Sequence, residues 1–191
     1  MVGWGADSLI ISSTLGPTEV AVFAIVQRLF QLISAPLAVA NSPLWSSYAD
    51  AHARGDYKFI KNTVKKSVLL TALITIIVGG YLTMTSQYLI ETWTNGAILV
   101  PKSLVYIFFI WTICETVGNS FAMMMNGCGV MRPQVAAVLI FLVLAIPLKL
   151  LFVHQGVQNM LLATVFSYII AVPIFYMTLF KMKLTNIVKN G

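Results

Sequence analysis

Long apolar runs, separated by short polar stretches, constrain this chain more than any other feature of its sequence. Around residues 66–88, 101–126, 133–153 and 157–180 the sequence stays almost wholly apolar. Each run holds about 20 residues or more, which at 1.5 Å per residue matches a hydrocarbon core of roughly 30 Å. In lipid the backbone must satisfy its own hydrogen bonds, so such runs are helices or the strands of a closed barrel. These runs are continuous and do not alternate with period two, which excludes the barrel. Charged residues make up 9% of the 191 and hydrophobic ones 59%, whereas a soluble domain carries roughly 25% charged residues. Too little polar surface remains to coat a water-facing globule. The expected fold class is all-α: a polytopic transmembrane helix bundle of about six spans.

Two further segments complete the six. Residues 2–15 are apolar but reach only about 22 Å, short of a full span, before Gly16-Pro17 breaks them. Residues 18–47 follow as the second helix. A polar loop over 48–65 contains Arg54-Gly55-Asp56. Asp56 is expected to cap the third helix, with Tyr57, Phe59, Ile60 and Val64 lying on the membrane surface before that helix enters the membrane at residue 66. Asn95-Gly96 marks a turn between the third and fourth spans. Arg54, Lys58, Lys61, Lys65, Lys66, Arg132, Lys181, Lys183 and Lys189 fall on one side of the membrane and Lys102 alone on the other. This imbalance predicts that the 48–65 loop and the C-terminus are cytoplasmic. The short first segment has no flanking positive residues, and the expectation is a fragment whose missing N-terminal part carries earlier spans.

Charges inside spans are costly and normally face a bundle interior or a water-filled cavity. Asp7, Arg28 and Glu115 are such residues. Asp7 lies about ten residues before the Gly16-Pro17 break and Arg28 about eleven after it, so an Asp7–Arg28 pair is geometrically available across a helical hairpin. Lys149, near the outer end of the fifth span, either snorkels to the interface or attracts an anion. On the second helix Gln27, Gln31, Ser34 and Asn41 share one stripe bordered by Arg28. On the fourth span Thr112, Glu115, Asn119, Ala122 and Asn126 share another. Such stripes are either interhelical hydrogen-bond glue or the walls of a hydrated cavity, and two parallel ones that each hold a formal charge favour the cavity.

Several function classes are excluded or disfavoured. The net charge of +6 comes from residues flanking apolar segments and forms no basic face on a folded domain, so nucleic acid is not an expected partner. Cys114 and Cys128 fit no metal or disulfide spacing. His52 and His154 are isolated in loops. A membrane-embedded enzyme usually carries its catalytic His, Asp or Arg in large extramembrane loops, and this chain has none of that size. No catalytic or metal-binding residue is therefore expected.

Three stretches, in this order, carry a family resemblance. They are Ala6-Asp7-Ser8-Leu9-Ile10-Ile11-Ser12-Ser13-Thr14-Leu15-Gly16, then Pro43-Leu44-Trp45-Ser46-Ser47-Tyr48-Ala49-Asp50-Ala51, then Met125-Asn126-Gly127-Cys128-Gly129-Val130-Met131-Arg132-Pro133-Gln134. Together they resemble the polysaccharide-export branch of the multidrug/oligosaccharidyl-lipid/polysaccharide (MOP) superfamily, and within it the Wzx-type flippases for O-antigen and capsule repeat units. The resemblance implies the C-terminal lobe of a MATE-like transporter in the bacterial inner membrane, working with an N-terminal lobe or partner chain among membrane lipids. It implies as substrate an undecaprenyl-pyrophosphate-linked oligosaccharide. Arg28 would then meet the diphosphate, and Gln27, Gln31, Asn41 and Asn119 the sugars. It also implies coupling to H⁺ or Na⁺ through Asp7 and Glu115, with no other cofactor. Either Asp7 pairs with Arg28, or Asp7 and Glu115 share the cation. The alternatives are a multidrug or organic-cation extruder of the same superfamily and a truncated product that does not transport.

Overall fold

The computed structural model describes residues 2–172, with side chains described from Asp7 onward apart from that of Pro133. The end of the sixth predicted span and Lys181, Lys183 and Lys189 lie outside the described residues. Every regular element among the described residues is helical. Helix α1 covers Val2–Thr14, α2 Pro17–Asn41, α3 Leu44–Ala53, α4 Tyr57–Thr94, α5 Lys102–Gly127 and α6 Met131–Phe152. A 3₁₀ turn over Val153–Gln155 leads to α7, Val157–Val172. Four segments are long and apolar enough to cross a membrane: Pro17–Ala53 taken through its break, Tyr57–Thr94, Lys102–Gly127 and Gln134–Gln155. The expected helical, multi-pass bundle is therefore what the chain forms.

Local chemistry sets most of the boundaries. Gly16, at φ 91°, takes a conformation that a Cβ disfavours, and Pro17 then supplies the pre-set φ of a first helical turn. Asp56 caps α4 as expected, its Oδ1 accepting from Phe59 N at 2.9 Å. Asn95, in the left-handed region at φ 50°, ends the same helix and hands over to Gly96 at φ 74°.

Two expectations are corrected. The helix expected over 18–47 ends at Asn41, because Pro43 has no N–H to continue the ladder. Ser42 N still bonds Ala38 O (3.1 Å), and the chain restarts as α3. The segment expected to lie on the membrane surface is instead the first turns of the 38-residue α4. Ile60 and Val64 pack with Tyr48 and Ala51 of α3, which buries the apolar edge that the sequence reading assigned to lipid.

At the middle of the bundle, α5 packs along α2, α3 and α4. Phe23, Val26 and Phe30 of α2 meet Leu104, Val105 and Phe108 of α5, with Met160 and Leu161 of α7 in the same cluster. The Phe108 ring lies 5.1 Å from that of Phe23 and stacks at 6.1 Å on that of Phe30. At the loop end, Gly127 allows α3 to approach α5 closely: a Cβ there would sit 2.6 Å from both Trp45 O and Tyr48 Cβ. In contrast, α6 leaves Val135, Val138, Leu139, Val143, Ile146 and Leu150 exposed, and α4 does the same with Leu69, Leu70, Leu73, Ile77 and Tyr81. In a membrane these faces meet acyl chains.

Candidate functional site

The two polar stripes do face each other, over part of their length. Gln27, Phe30, Gln31 and Ser34 of α2 and Phe108, Trp111, Thr112 and Glu115 of α5 line a small, partly open cleft with a cavity volume of about 10 Å³. Each helix contributes one quartet at i, i+3, i+4 and i+7, the spacing that puts four side chains on one face. Amide and hydroxyl groups make up half of the lining. Three aromatic rings line it, Phe30 and Phe108 from the buried core and Trp111 half-buried, and Glu115 is its one ionisable group. The aromatic walls were absent from the sequence reading, although Phe108 and Trp111 share the helical face of Thr112 and Glu115.

Further along the same two helices the polar side chains do something different. Asn41 is buried, and three hydroxyls use its amide. Its Nδ2 donates to Ser120 Oγ at 3.2 Å and Thr71 Oγ1 at 3.4 Å, while its Oδ1 accepts from Ser67 Oγ at 3.2 Å. Ser120 Oγ also reaches Thr71 Oγ1 (3.3 Å), and Thr75 and Thr116 share a hydrogen bond at 3.0 Å. The result is a dry seam between α2, α4 and α5. Asn41, expected on the wet stripe, is thus placed in interhelical packing, because α4 covers this end of the stripe with Ser67, Thr71 and Thr75. Asn119 is half-buried and does not line the cleft.

The charges correct the sequence reading most. Asp7 pairs with Lys149, not with Arg28: Lys149 Nζ donates to Asp7 Oδ1 at 2.5 Å, with side-chain exposures of 7% and 3%. The expectation that Lys149 snorkels outward to water is overturned as well. Its long stem reaches inward to the acid on α1, closing the depth difference that made the pair hard to foresee. Sharing of a cation between Asp7 and Glu115 has no support, since Asp7 is engaged by Lys149 and Glu115 stands in the α2–α5 cleft. Arg28 is exposed on α2 next to Gln27, lies outside the cleft lining and has no ion-pair partner among the described residues. In a membrane an unpaired guanidinium needs water or an anion in front of it.

Among the described residues no group of three or more His, Cys, Asp or Glu could hold a metal. The family model MatE matches residues 4–151. No curated protein and no solved structure matches the chain. The MatE match runs from α1 nearly to the end of α6, taking in both walls of the cleft and both members of the buried ion pair. With a helical, multi-pass architecture and a match over most of its length, the chain belongs to the MatE family of membrane transporters.

Proposed function

We propose that this chain forms one lobe of a flippase that moves a lipid-linked oligosaccharide, an undecaprenyl-pyrophosphate-linked repeat unit, across the bacterial inner membrane, with the basic α3–α4 end and the C-terminus cytoplasmic. The observation that supports this most is the make-up of the cleft. Gln27, Gln31 and Ser34 offer donors and acceptors suited to sugar hydroxyls, and the half-buried Trp111 offers an apolar surface beside them. Arg28 adds a permanently charged guanidinium one residue from Gln27, suited to the diphosphate. A second lobe opposite would complete the cavity, because alternating access requires two bodies that rock about a shared site. Glu115 is the group for H⁺ or Na⁺ coupling. Asp7 drops out of that role, since its carboxylate is neutralised by Lys149.

One observation favours a second reading, an extruder of organic cations. The one ionisable side chain lining the cleft is an acid that stands beside aromatic rings, an arrangement that suits cations. Proteoliposomes holding the full chain together with its second lobe separate the two. The flippase reading expects translocation of a fluorescent lipid-linked oligosaccharide that falls at least about tenfold in Arg28→Ala and loses its gradient dependence in Glu115→Gln. Efflux of a cationic dye with no movement of the lipid would overturn it in favour of the extruder. Unchanged gradient dependence in Glu115→Gln would reject the coupling role.

A further inference from the structure

The cleft leaves the other end of the molecule unexplained. There α4 is too long for the membrane: its 38 residues measure about 57 Å against a hydrocarbon core of roughly 30 Å. Its apolar run starts only after Lys66, so the first ten residues, about 15 Å of helix, stand at headgroup level and beyond. Along those turns and the next, Ile60, Val64, Ser67 and Thr71 are buried against the bundle. Lys58, Lys61, Lys65 and Lys66 are exposed, as is Asn62. At 100° per residue the four lysines cover an arc of roughly 140° opposite the buried residues. Phe59 is 40% exposed at the edge of that arc.

The local acids, Asp56 and the exposed Asp50 of α3, form no ion pair with these lysines. Asp56 is engaged in capping α4, and none of the four lysines has an ion-pair partner among the described residues. Arg54 in the preceding turn and Arg132 at the start of α6 are exposed at the same end of the bundle, held there by the close packing of α3 on α5 at Gly127. A topology signal is read from loop charge during insertion and needs no fixed face. Here the charge sits on a helix whose opposite edge is locked by Ile60 and Val64, so the ammonium groups stay aimed outward at a fixed height.

We propose that this face is a binding surface for anionic phospholipid headgroups of the leaflet it borders, with Lys58, Lys61, Lys65 and Lys66 as the contacting cations and Phe59 dipping between headgroups. Basic residues just outside a span attract anionic lipid with an effect worth about fivefold in affinity each. Four of them fixed on one helical face give a selective site for such lipids.

The test is a titration of the purified full chain, in uncharged detergent, with short-chain phosphatidylglycerol or phosphatidylcholine, read by thermophoresis. Phosphatidylglycerol is expected to bind at least about tenfold more tightly than phosphatidylcholine. K58Q/K61Q/K65Q/K66Q is expected to lose that preference while keeping its melting temperature, and the four Lys→Arg changes to keep it. If the quadruple glutamine variant does not fold, K61Q/K65Q serves instead, with an expected loss of most of the preference. Equal binding of the two lipids by the wild type, or a preference that survives the glutamine changes, would overturn the proposal. So would displacement of the lipid by free glycerol phosphate at matching concentration, which would identify a site for a soluble anion.

Discussion

Two polar regions built on the same pair of helices behave in opposite ways. The seam around Asn41 and the cleft around Gln31 both draw on α2 and α5, and both would read as glue or as cavity from sequence alone. In the seam, α4 adds Ser67, Thr71 and Thr75, and both the nitrogen and the oxygen of the Asn41 amide are engaged. In the cleft no third helix intervenes, and Gln27, Gln31 and Glu115 border open space. Whether a membrane-embedded amide is structural or available to a ligand is thus decided by the helix that crosses over it. The same distinction holds for charge. Asp7 and Lys149 satisfy each other in a dry site, whereas Arg28 and Glu115 do not.

The largest effect that can break this comparison lies at the ion pair. Asp7→Ala or Lys149→Met alone strands a buried charge and is expected to cost about 3–5 kcal/mol. In the Asp7→Leu, Lys149→Met double variant most of that loss should return, as read by thermal unfolding in detergent. Single losses below about 1 kcal/mol would mean that water reaches the pair. Next comes Gly127→Ala, which sets a methyl 2.6 Å from the Trp45 carbonyl and is expected to cost about 1–3 kcal/mol through overpacking. The same measurement checks it, with α3 separating from α5.

A smaller cost sharpens the contrast between seam and cleft. Asn41→Ala removes the amide that joins Ser67 to Thr71 and Ser120 and should destabilise by about 1–2 kcal/mol. Gln31→Ala, with its amide free, should stay within about 0.5 kcal/mol of wild type while reducing transport. Equal melting shifts for the two would erase the distinction.

Much of this was legible in the sequence. Apolar length gave a multi-pass helical chain, Asp56 announced the cap of α4, and Gln27, Gln31 and Glu115 were picked out as facing a common space. The remainder depends on neighbours that helical periodicity cannot supply. Periodicity puts Asn41 on the stripe of Gln27 and Gln31, but it cannot say that three α4 hydroxyls cover it. Depth counting from the Gly16-Pro17 turn matched Asp7 to Arg28, yet Lys149 is 142 residues away in sequence, and its flexible stem covers a gap in depth that rigid counting rejects. The apolar spacing of Ile60 and Val64 suits a bilayer surface and the flank of α3 equally well.

One end of the α2–α5 stripe borders the cleft and the other is sealed in the seam. In a background where Cys114 and Cys128 are replaced by serine, single cysteines at Gln31, Glu115 and Asn41 can be exposed to a membrane-impermeant maleimide in proteoliposomes. Cysteines at Gln31 and Glu115 are expected to be labelled within minutes, and the one at Asn41 to remain unlabelled until the protein is unfolded. Labelling at Asn41 as fast as at Gln31, or no labelling at Gln31 and Glu115, would contradict the account.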